Sequence, residues 1–145
     1  MKILKHLLIP TLIFANVLAG FSQTIKTIDS LQNAEQNCLD RGQYMLGCAK
    51  RFYAQMDSML NLVYLKLHST LDNTKQVKLK MEQRLWLAKR NTYFKKTLKK
   101  FKDNNPNISP SGSAWGAQDD AMFMYDDNAA FVKTRIWELL RRINK

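Results

Sequence analysis

Apolar side chains recur every three or four residues along two consecutive segments, and this spacing constrains the fold more than any other feature. In the first segment it predicts an amphipathic helix of about seven turns, with apolar positions at Met45, Cys48, Phe52, Met56, Met59, Val63, Leu67 and Leu71. Residues 72–74, Asp-Asn-Thr, then supply turn and N-cap chemistry. The period restarts at Val77, Met81, Leu85, Ala88 and Thr92. The sequence therefore predicts an all-α fold, a small helical bundle built on a long antiparallel helical hairpin.

The short turn also fixes which residues of the two helices face each other. Antiparallel pairing places two residues opposite when their numbers add to roughly 147. The opposed pairs are Asp57 with Arg90, Asn61 with Trp86, and Tyr64 with Gln83. We expect a hydrogen-bonded ion pair between Asp57 and Arg90 across the hairpin. Asn61 and Gln83 are expected to satisfy neighbouring polar groups.

Shorter elements flank the predicted hairpin. A short helix before it is indicated by Ile25, Ile28, Leu31 and Ala34. After it, residues 104–118 collect Asn, Pro, Ser and Gly without a period and predict a loop with Trp115 as an apolar anchor. A last helix has an apolar stripe at Phe131 or Val132, Ile136, Leu139 or Leu140, and Ile143. Asp126 or Asp127 is expected to cap its start.

The first 22 residues have the pattern of a secretory signal peptide. Basic Lys2 and Lys5 precede an apolar run over residues 7–18, and small residues follow it. The run has about 12 residues, fewer than the roughly 20 that a spanning helix needs. Cleavage after Ala19 or Ser22 satisfies the small-residue rule, and we favour Ser22. The alternative to a signal peptide is that these residues form a buried N-terminal helix. The sequence thus predicts residues 1–22 as signal peptide, residues 23–145 as one domain, and a periplasmic or secreted location.

Export determines the expected redox state of the two cysteines, Cys38 and Cys48. In an oxidising compartment such a pair normally forms a disulfide, and closing a loop of about 11 residues contributes roughly 3 kcal/mol before strain. The alternative is a redox site, although such sites usually have C-x-x-C spacing. We therefore expect a structural disulfide that staples the bundle.

The motif residues resemble a known family. Cys48 is followed by Asp57, Leu60-Asn61 and Tyr64, and then by Gln83, Trp86 and Arg90. This order resembles the LprI-like family of small exported bacterial proteins, named for a lysozyme inhibitor, and the resemblance extends from Cys38 to about Leu140. Members often carry a further Cys where this chain has Tyr93 and Phe94. The resemblance implies a helical fold and a binding function toward lysozyme.

Several classes of enzyme are excluded by composition. After signal removal only His68 remains, so a His-based triad or a His-rich zinc site cannot be assembled. The sequence also lacks a P-loop, a GxGxxG and an H-E-x-x-H motif. A glycosidase pair among Asp119, Asp120, Asp126 and Asp127 is the remaining alternative, but such acids are more often helix caps or solvated charges. We expect no enzyme activity, no cofactor and no metal.

Positive charge is concentrated in one segment. The 145 residues carry 23 Lys and Arg against 12 Asp and Glu, a formal charge of +11. Eight basic residues and no acid lie between residues 84 and 102. The predicted anion-binding face comprises Lys89, Lys95, Lys96, Lys99, Lys100 and Lys102. The alternative is a solvated lysine face that maintains solubility. Nucleic acid is not expected as a partner. An exported chain is separated from the nucleic acid of the cell, and no recognition motif accompanies the charge.

The same charge limits how a lysozyme could bind. Animal-type lysozymes are cationic, so two positive proteins repel unless an acidic surface is presented. We expect the partner contacts at Asp119, Asp120, Asp126 and Asp127, or at the polar stripe of the hairpin. The leading hypothesis is an exported, non-catalytic binding protein of the bacterial envelope that inhibits lysozyme. The alternative is an envelope structural or anion-binding protein that docks on membrane or glycan phosphates.

Overall fold

The structure, a computed structural model, describes residues 9–111 and 116–143, with side chains from Thr24 onward. Four helices account for most of these residues: α1 (Ile9–Leu39), α2 (Met45–Ser69), α3 (Asn73–Asn104) and α4 (Gln118–Ile143). The all-α fold and the helical hairpin are thus confirmed. The predicted signal peptide overlaps the backbone of α1 from Ile9, and its remaining residues and Trp115 lie outside the described residues. Over the described ranges, no helix is both long and apolar enough to cross a bilayer.

The turn between α2 and α3 forms as predicted. Asp72 is the N-cap of α3, and its carboxylate accepts a hydrogen bond of 2.9 Å from the backbone N–H of Lys75. The Gln76 amide donates to the carbonyl oxygens of His68 and Leu71 at 3.1 and 3.0 Å. One carbonyl in the last turn of α2 and one in the turn itself are thereby bonded from α3, which fixes the reversal of the chain.

The last helix organises the bundle. It packs most extensively against α2 and also against α3, whereas the backbones of α2 and α3 have few close approaches to each other. Side chains of α4 fill the main core together with those of α2, and the fully buried members include Met56, Val63, Leu67, Val132, Ile136 and Leu139. α4 begins at Gln118, with Asp119 and Asp120 in its first turn. The expectation that Asp126 or Asp127 caps this helix is therefore wrong, since both lie within it.

The prediction of which face of α3 is buried is wrong, because the predicted apolar stripe faces solvent. Val77, Met81 and Leu85 are exposed to 61–67%, and Ala88 and Thr92 are exposed as well. The opposite face turns inward, and its members include Leu79, Trp86, Phe94 and Phe101. Aromatic rings bury more apolar area than Val, Ala and Thr side chains do, so the aromatic face gains more from packing against α4.

The disulfide is confirmed. Cys38 at the end of α1 is bonded to Cys48 in the first turn of α2, with 5.9 Å between their Cα atoms. Gly42 reverses the chain between them with a φ of 64°, which glycine adopts without steric cost. Ile28 of α1 is fully buried in the main core, and Leu31 packs against it. The disulfide therefore ties α1 to the bundle at one end, and apolar packing holds it along its length.

Candidate binding site

The expected ion pair across the hairpin is present. The Arg90 guanidinium donates to the Asp57 carboxylate at 3.2 Å. The same guanidinium lies over the rings of Trp86 and Phe94, at 5.8 and 5.6 Å from their centroids, a placement that favours the cation. Arg90 thus joins α2 and α3 where their backbones are apart.

The other motif residues are placed differently from expectation. The Gln83 side-chain oxygen accepts a hydrogen bond of 3.2 Å from Arg135, so Gln83 does satisfy a polar group, but that group is on α4 and not on α2. Asn61 is exposed, while Leu60 is buried. Register counting missed these partners because it paired α2 only with α3, whereas α4 packs against both helices.

A groove of about 460 Å³ runs between α3 and α4. Its floor contains Trp86, whose ring stacks on that of Phe131 at 5.8 Å. Its walls include Glu82, Leu85, Lys89, Thr134, Arg135 and Glu138. Both carboxylates are already paired, Glu82 with Arg142 at 2.6 Å and Glu138 with Arg135 at 3.0 Å. The pair of Glu82 and Arg142 links α3 to α4, whereas the pair of Glu138 and Arg135 lies within α4.

A second surface has its charges arranged around an aromatic ring. Phe123 is 58% exposed on α4. Residues three and four positions away are its nearest neighbours on a helix, and these are Asp119, Asp120, Asp126 and Asp127. We call these five residues the acidic patch. The structure therefore brings together all four acids that were predicted as partner contacts, because one helix carries them on its outer side.

Two of the four acids are engaged within the protein. Asp120 accepts a hydrogen bond of 2.7 Å from the side-chain amide of Asn105, which anchors the loop after α3 to the start of α4. Asp126 shares a hydrogen bond with Glu35 of α1, while its Oδ1 atom is buried and, among the described residues, lacks a partner. These two acids position the patch as well as contributing charge.

The other two acids face solvent. Asp119 and Asp127 are exposed, and within the described part of the chain neither has an ion-pair partner. Asp127 also lies near Tyr93, and burial together with this carboxylate raises the pKa of the Tyr93 hydroxyl. Asp119 and Asp127 are therefore the carboxylates most available to a cationic partner.

Glu35 and Asp126 form a carboxyl pair between α1 and α4. Burial, and then the charge of Asp126 and the hydrogen bond to it, raise the pKa of Glu35 from 4.5 to about 7. Burial and the neighbouring Asp127 also raise the pKa of Asp126, while its hydrogen bond with Glu35 lowers it. As pH rises through about 7 the pair therefore loses the proton that Glu35 holds at lower pH, which weakens the contact between α1 and α4.

The lysines of the predicted anion-binding face all lie on the solvent side of α3. The six are Lys89, Lys95, Lys96, Lys99, Lys100 and Lys102, and each is exposed. Lys99 pairs with Asp103 at 2.6 Å. The aromatic residues interleaved with them point to the other side, with Phe101 buried. Anion binding by this face remains a prediction.

The arrangement of the acidic patch fits binding better than hydrolysis. A glycosidase needs two carboxyl groups on either side of a scissile bond, whereas these carboxylates surround a ring on one helix. Over the described residues, no group of three His, Cys, Asp or Glu side chains is placed to hold a metal ion. An exposed aromatic ring within a charged rim is typical of a protein–protein contact.

Two residues of this site, Phe123 and Glu35, were absent from the sequence predictions. The spacing of three and four residues between Phe123 and each Asp was a usable signal. Nothing in the local sequence of Glu35 indicates its partner, since Asp126 is on another helix. Such a pair can be found only once the packing of α1 is known.

Comparison with known families agrees with the motif. The family described as "Lysozyme inhibitor LprI" matches residues 34–138, a range that includes the disulfide, the hairpin and the acidic patch. No curated protein and no solved structure matches the chain significantly. The matched range ends within α4, after every residue of the acidic patch.

Proposed function

Because the chain belongs to the LprI family of lysozyme inhibitors, we propose that it is an exported, non-catalytic protein of the bacterial envelope that binds and inhibits lysozyme. The contact surface is the acidic patch of α4. One observation carries this choice: Phe123 is 58% exposed and has an Asp at each neighbouring helical position. The proposed location is periplasmic or secreted, after cleavage of residues 1–22.

Electrostatics favours the acidic patch over the rest of the surface. Lysozymes of the animal type are cationic, and the basic side of α3 repels them. At physiological salt the Debye length is about 8 Å, so a partner seated on α4 senses mainly the nearest charges. Those charges are the four carboxylates and one basic neighbour, Lys100 of α3, which lines the same small cleft as Phe123 and Asp127. Asp119 and Asp127 have no ion-pair partner among the described residues and are available to Lys or Arg side chains.

The polar stripe of the hairpin is the weaker candidate for this contact. Arg90 is held by Asp57, and Gln83 is held by Arg135. A partner that used these groups would have to break bonds that connect the helices, at a cost to the stability of the bundle. The acidic patch needs no such rearrangement.

Phe123 supplies the apolar part of the proposed contact. Aromatic side chains enclosed by a polar rim are the residues that most often dominate binding energy. Replacing Phe123 by Ala is expected to cost about 2 kcal/mol of binding free energy, or roughly a thirty-fold rise in Kd. The surrounding carboxylates contribute chiefly to the association rate.

The proposal is tested with a lysozyme turbidity assay. The mature chain, residues 23–145, is added to bacterial cells with lysozymes of the animal and bacterial types. We expect the lysis rate to fall in proportion to the added chain until the two proteins are equimolar. Undiminished lysis with every lysozyme type would overturn the proposed function.

The site is tested with matched triple variants. Phe123→Ala/Asp119→Asn/Asp127→Asn removes the exposed ring and the two free carboxylates. The control, Tyr44→Ala/Asp29→Asn/Asp40→Asn, removes another exposed ring and two exposed acids elsewhere. We expect the first variant to lose inhibition and the control to retain it. Inhibition that survives in the first variant would place the contact elsewhere.

A further inference from the structure

The outer face of α3 exposes a line of large apolar side chains. Val77, Met81 and Leu85 follow one another at intervals of four residues, and each is exposed to 61–67%. Single exposed apolar residues are common, but aligned ones mark an interaction surface. This line is outside the bundle core and the acidic patch, and its last member, Leu85, also borders the groove between α3 and α4.

Unpaired positive charge surrounds and continues this line. The exposed basic residues of α3 without an ion-pair partner among the described residues are Lys78, Lys80, Arg84, Lys89, Lys95, Lys96, Lys100 and Lys102, while Lys75 and Lys99 pair with Asp72 and Asp103. The helix has only two acids, both engaged: Glu82 by Arg142 and Asp103 by Lys99. The outer face of α3 is therefore apolar in its first half and cationic throughout.

This combination selects one kind of partner, and we propose that α3 docks on the surface of an anionic lipid bilayer. Its axis lies in the membrane plane. Val77, Met81 and Leu85 enter the boundary between headgroups and acyl chains, and the basic side chains contact lipid phosphates. This inference goes beyond the proposed lysozyme inhibition and uses a different helix.

Shape and chemistry favour a bilayer over other anions. Residues 77–102 extend for about 37 Å at the usual rise of an α-helix. A flat bilayer meets this whole length at once. A phosphorylated glycan could contact the basic side chains, but it would not bury the apolar line. A folded acidic protein would need a matching groove of the same length.

Vesicle co-sedimentation tests the proposal. The mature chain is mixed with vesicles of phosphatidylcholine alone and with vesicles of equimolar phosphatidylcholine and phosphatidylglycerol. We expect it to sediment with the anionic vesicles only, and to dissociate partly at raised salt. Equal recovery with both vesicle types, or with neither, would overturn the proposal.

Two variants separate the charged and apolar contributions. Lys95→Gln/Lys96→Gln/Lys99→Gln is expected to weaken binding about a hundred-fold, since each Lys near an anionic surface contributes about five-fold. Met81→Gln/Leu85→Gln is expected to abolish the binding that survives at raised salt. If the apolar variant binds like the unaltered chain, the face binds anions alone, and the bilayer proposal fails.

Matched controls exclude general effects of substitution. Leu62→Gln/Leu65→Gln changes two leucines of α2 that are each 62% exposed, and Arg41→Gln/Arg51→Gln/Arg141→Gln changes three exposed basic residues outside α3. Both are expected to bind vesicles as the unaltered chain does. Equal loss in control and test variants would contradict a specific α3 surface. Retained lysozyme inhibition in the α3 variants distinguishes this inference from the proposed function.

Discussion

The ion pair between Asp57 and Arg90 allows a quantitative test of the architecture. We consider a double-mutant cycle of Asp57→Asn, Arg90→Met and the combination. Asp57→Asn leaves a guanidinium whose side chain is only 23% exposed, and its Nε atom, among the described residues, has no partner. Removing the carboxylate is therefore expected to cost about 1–2 kcal/mol of unfolding free energy.

Arg90→Met keeps aliphatic packing but loses the charge. It gives up two cation–π contacts, with Trp86 and Phe94, worth about 0.5–1 kcal/mol each at partly exposed sites. The stranded Asp57 carboxylate is 40% exposed and remains partly hydrated. We expect a cost of about 1–2 kcal/mol for this variant. The double variant is expected to cost no more than the larger single change, which gives a coupling energy of about 1 kcal/mol.

Urea denaturation followed by far-UV circular dichroism measures these free energies. Urea is uncharged and does not screen the ion pair as guanidinium chloride would. A double variant whose cost equals the sum of the single costs, to within about 0.3 kcal/mol, would refute the coupling of the two helices at this point.

Three further predictions concern stability. Ile136→Ala, in the main core, should lower the unfolding free energy by about 2–5 kcal/mol, whereas Leu85→Ala, at an exposed site, should change it by less than about 0.5 kcal/mol. Replacing both Cys38 and Cys48 by Ala should lower it by up to about 3 kcal/mol, measured by thermal unfolding. The raised pKa of Glu35 stabilises the fold below pH 4.5, and this contribution is lost as pH rises through about 7. After a discount for solvent exposure it is about 1–2 kcal/mol, and Glu35→Gln should remove this part of the pH dependence.

Each of these predictions has a clear contrary result. A cost for Leu85→Ala of about 2 kcal/mol or more would show that α3 is rotated relative to the described packing, since Leu85 would then be buried. An unchanged unfolding temperature without the cysteines would deny the disulfide a stabilising role. A Glu35→Gln variant with the pH profile of the unaltered chain would mean that this carboxyl titrates near its ordinary pKa.

The sequence predicted the hairpin well because its determinants are local. The apolar period over α2, the Asp72 cap and the short turn act within a few residues, and they place Asp57 opposite Arg90. The orientation of α3 was missed because both of its faces carry apolar side chains. The choice between Val77 and Leu79 depends on α4, which lies far along the chain.

The candidate site was predicted only in part, because the start of α4 was placed incorrectly. The four Asp residues were found as an acidic segment, but the segment was assigned to a loop and a helix start. Once α4 is known to begin at Gln118, the helical repeat alone places Phe123 among them. The hydrogen bond from Arg135 to Gln83 is different, because it depends on the packing of α4 against α3 and leaves no periodic signal.

Hydroxyl-radical footprinting with and without an inhibited lysozyme tests the central claim most directly. It reports the solvent exposure of individual side chains, and Phe123 and Tyr44 are both exposed aromatic residues, at 58% and 88%. With lysozyme bound, the oxidation rate of Phe123 should fall several-fold while that of Tyr44 stays constant. Protection of Met81 and Leu85 with Phe123 unchanged would contradict the assignment of lysozyme binding to α4.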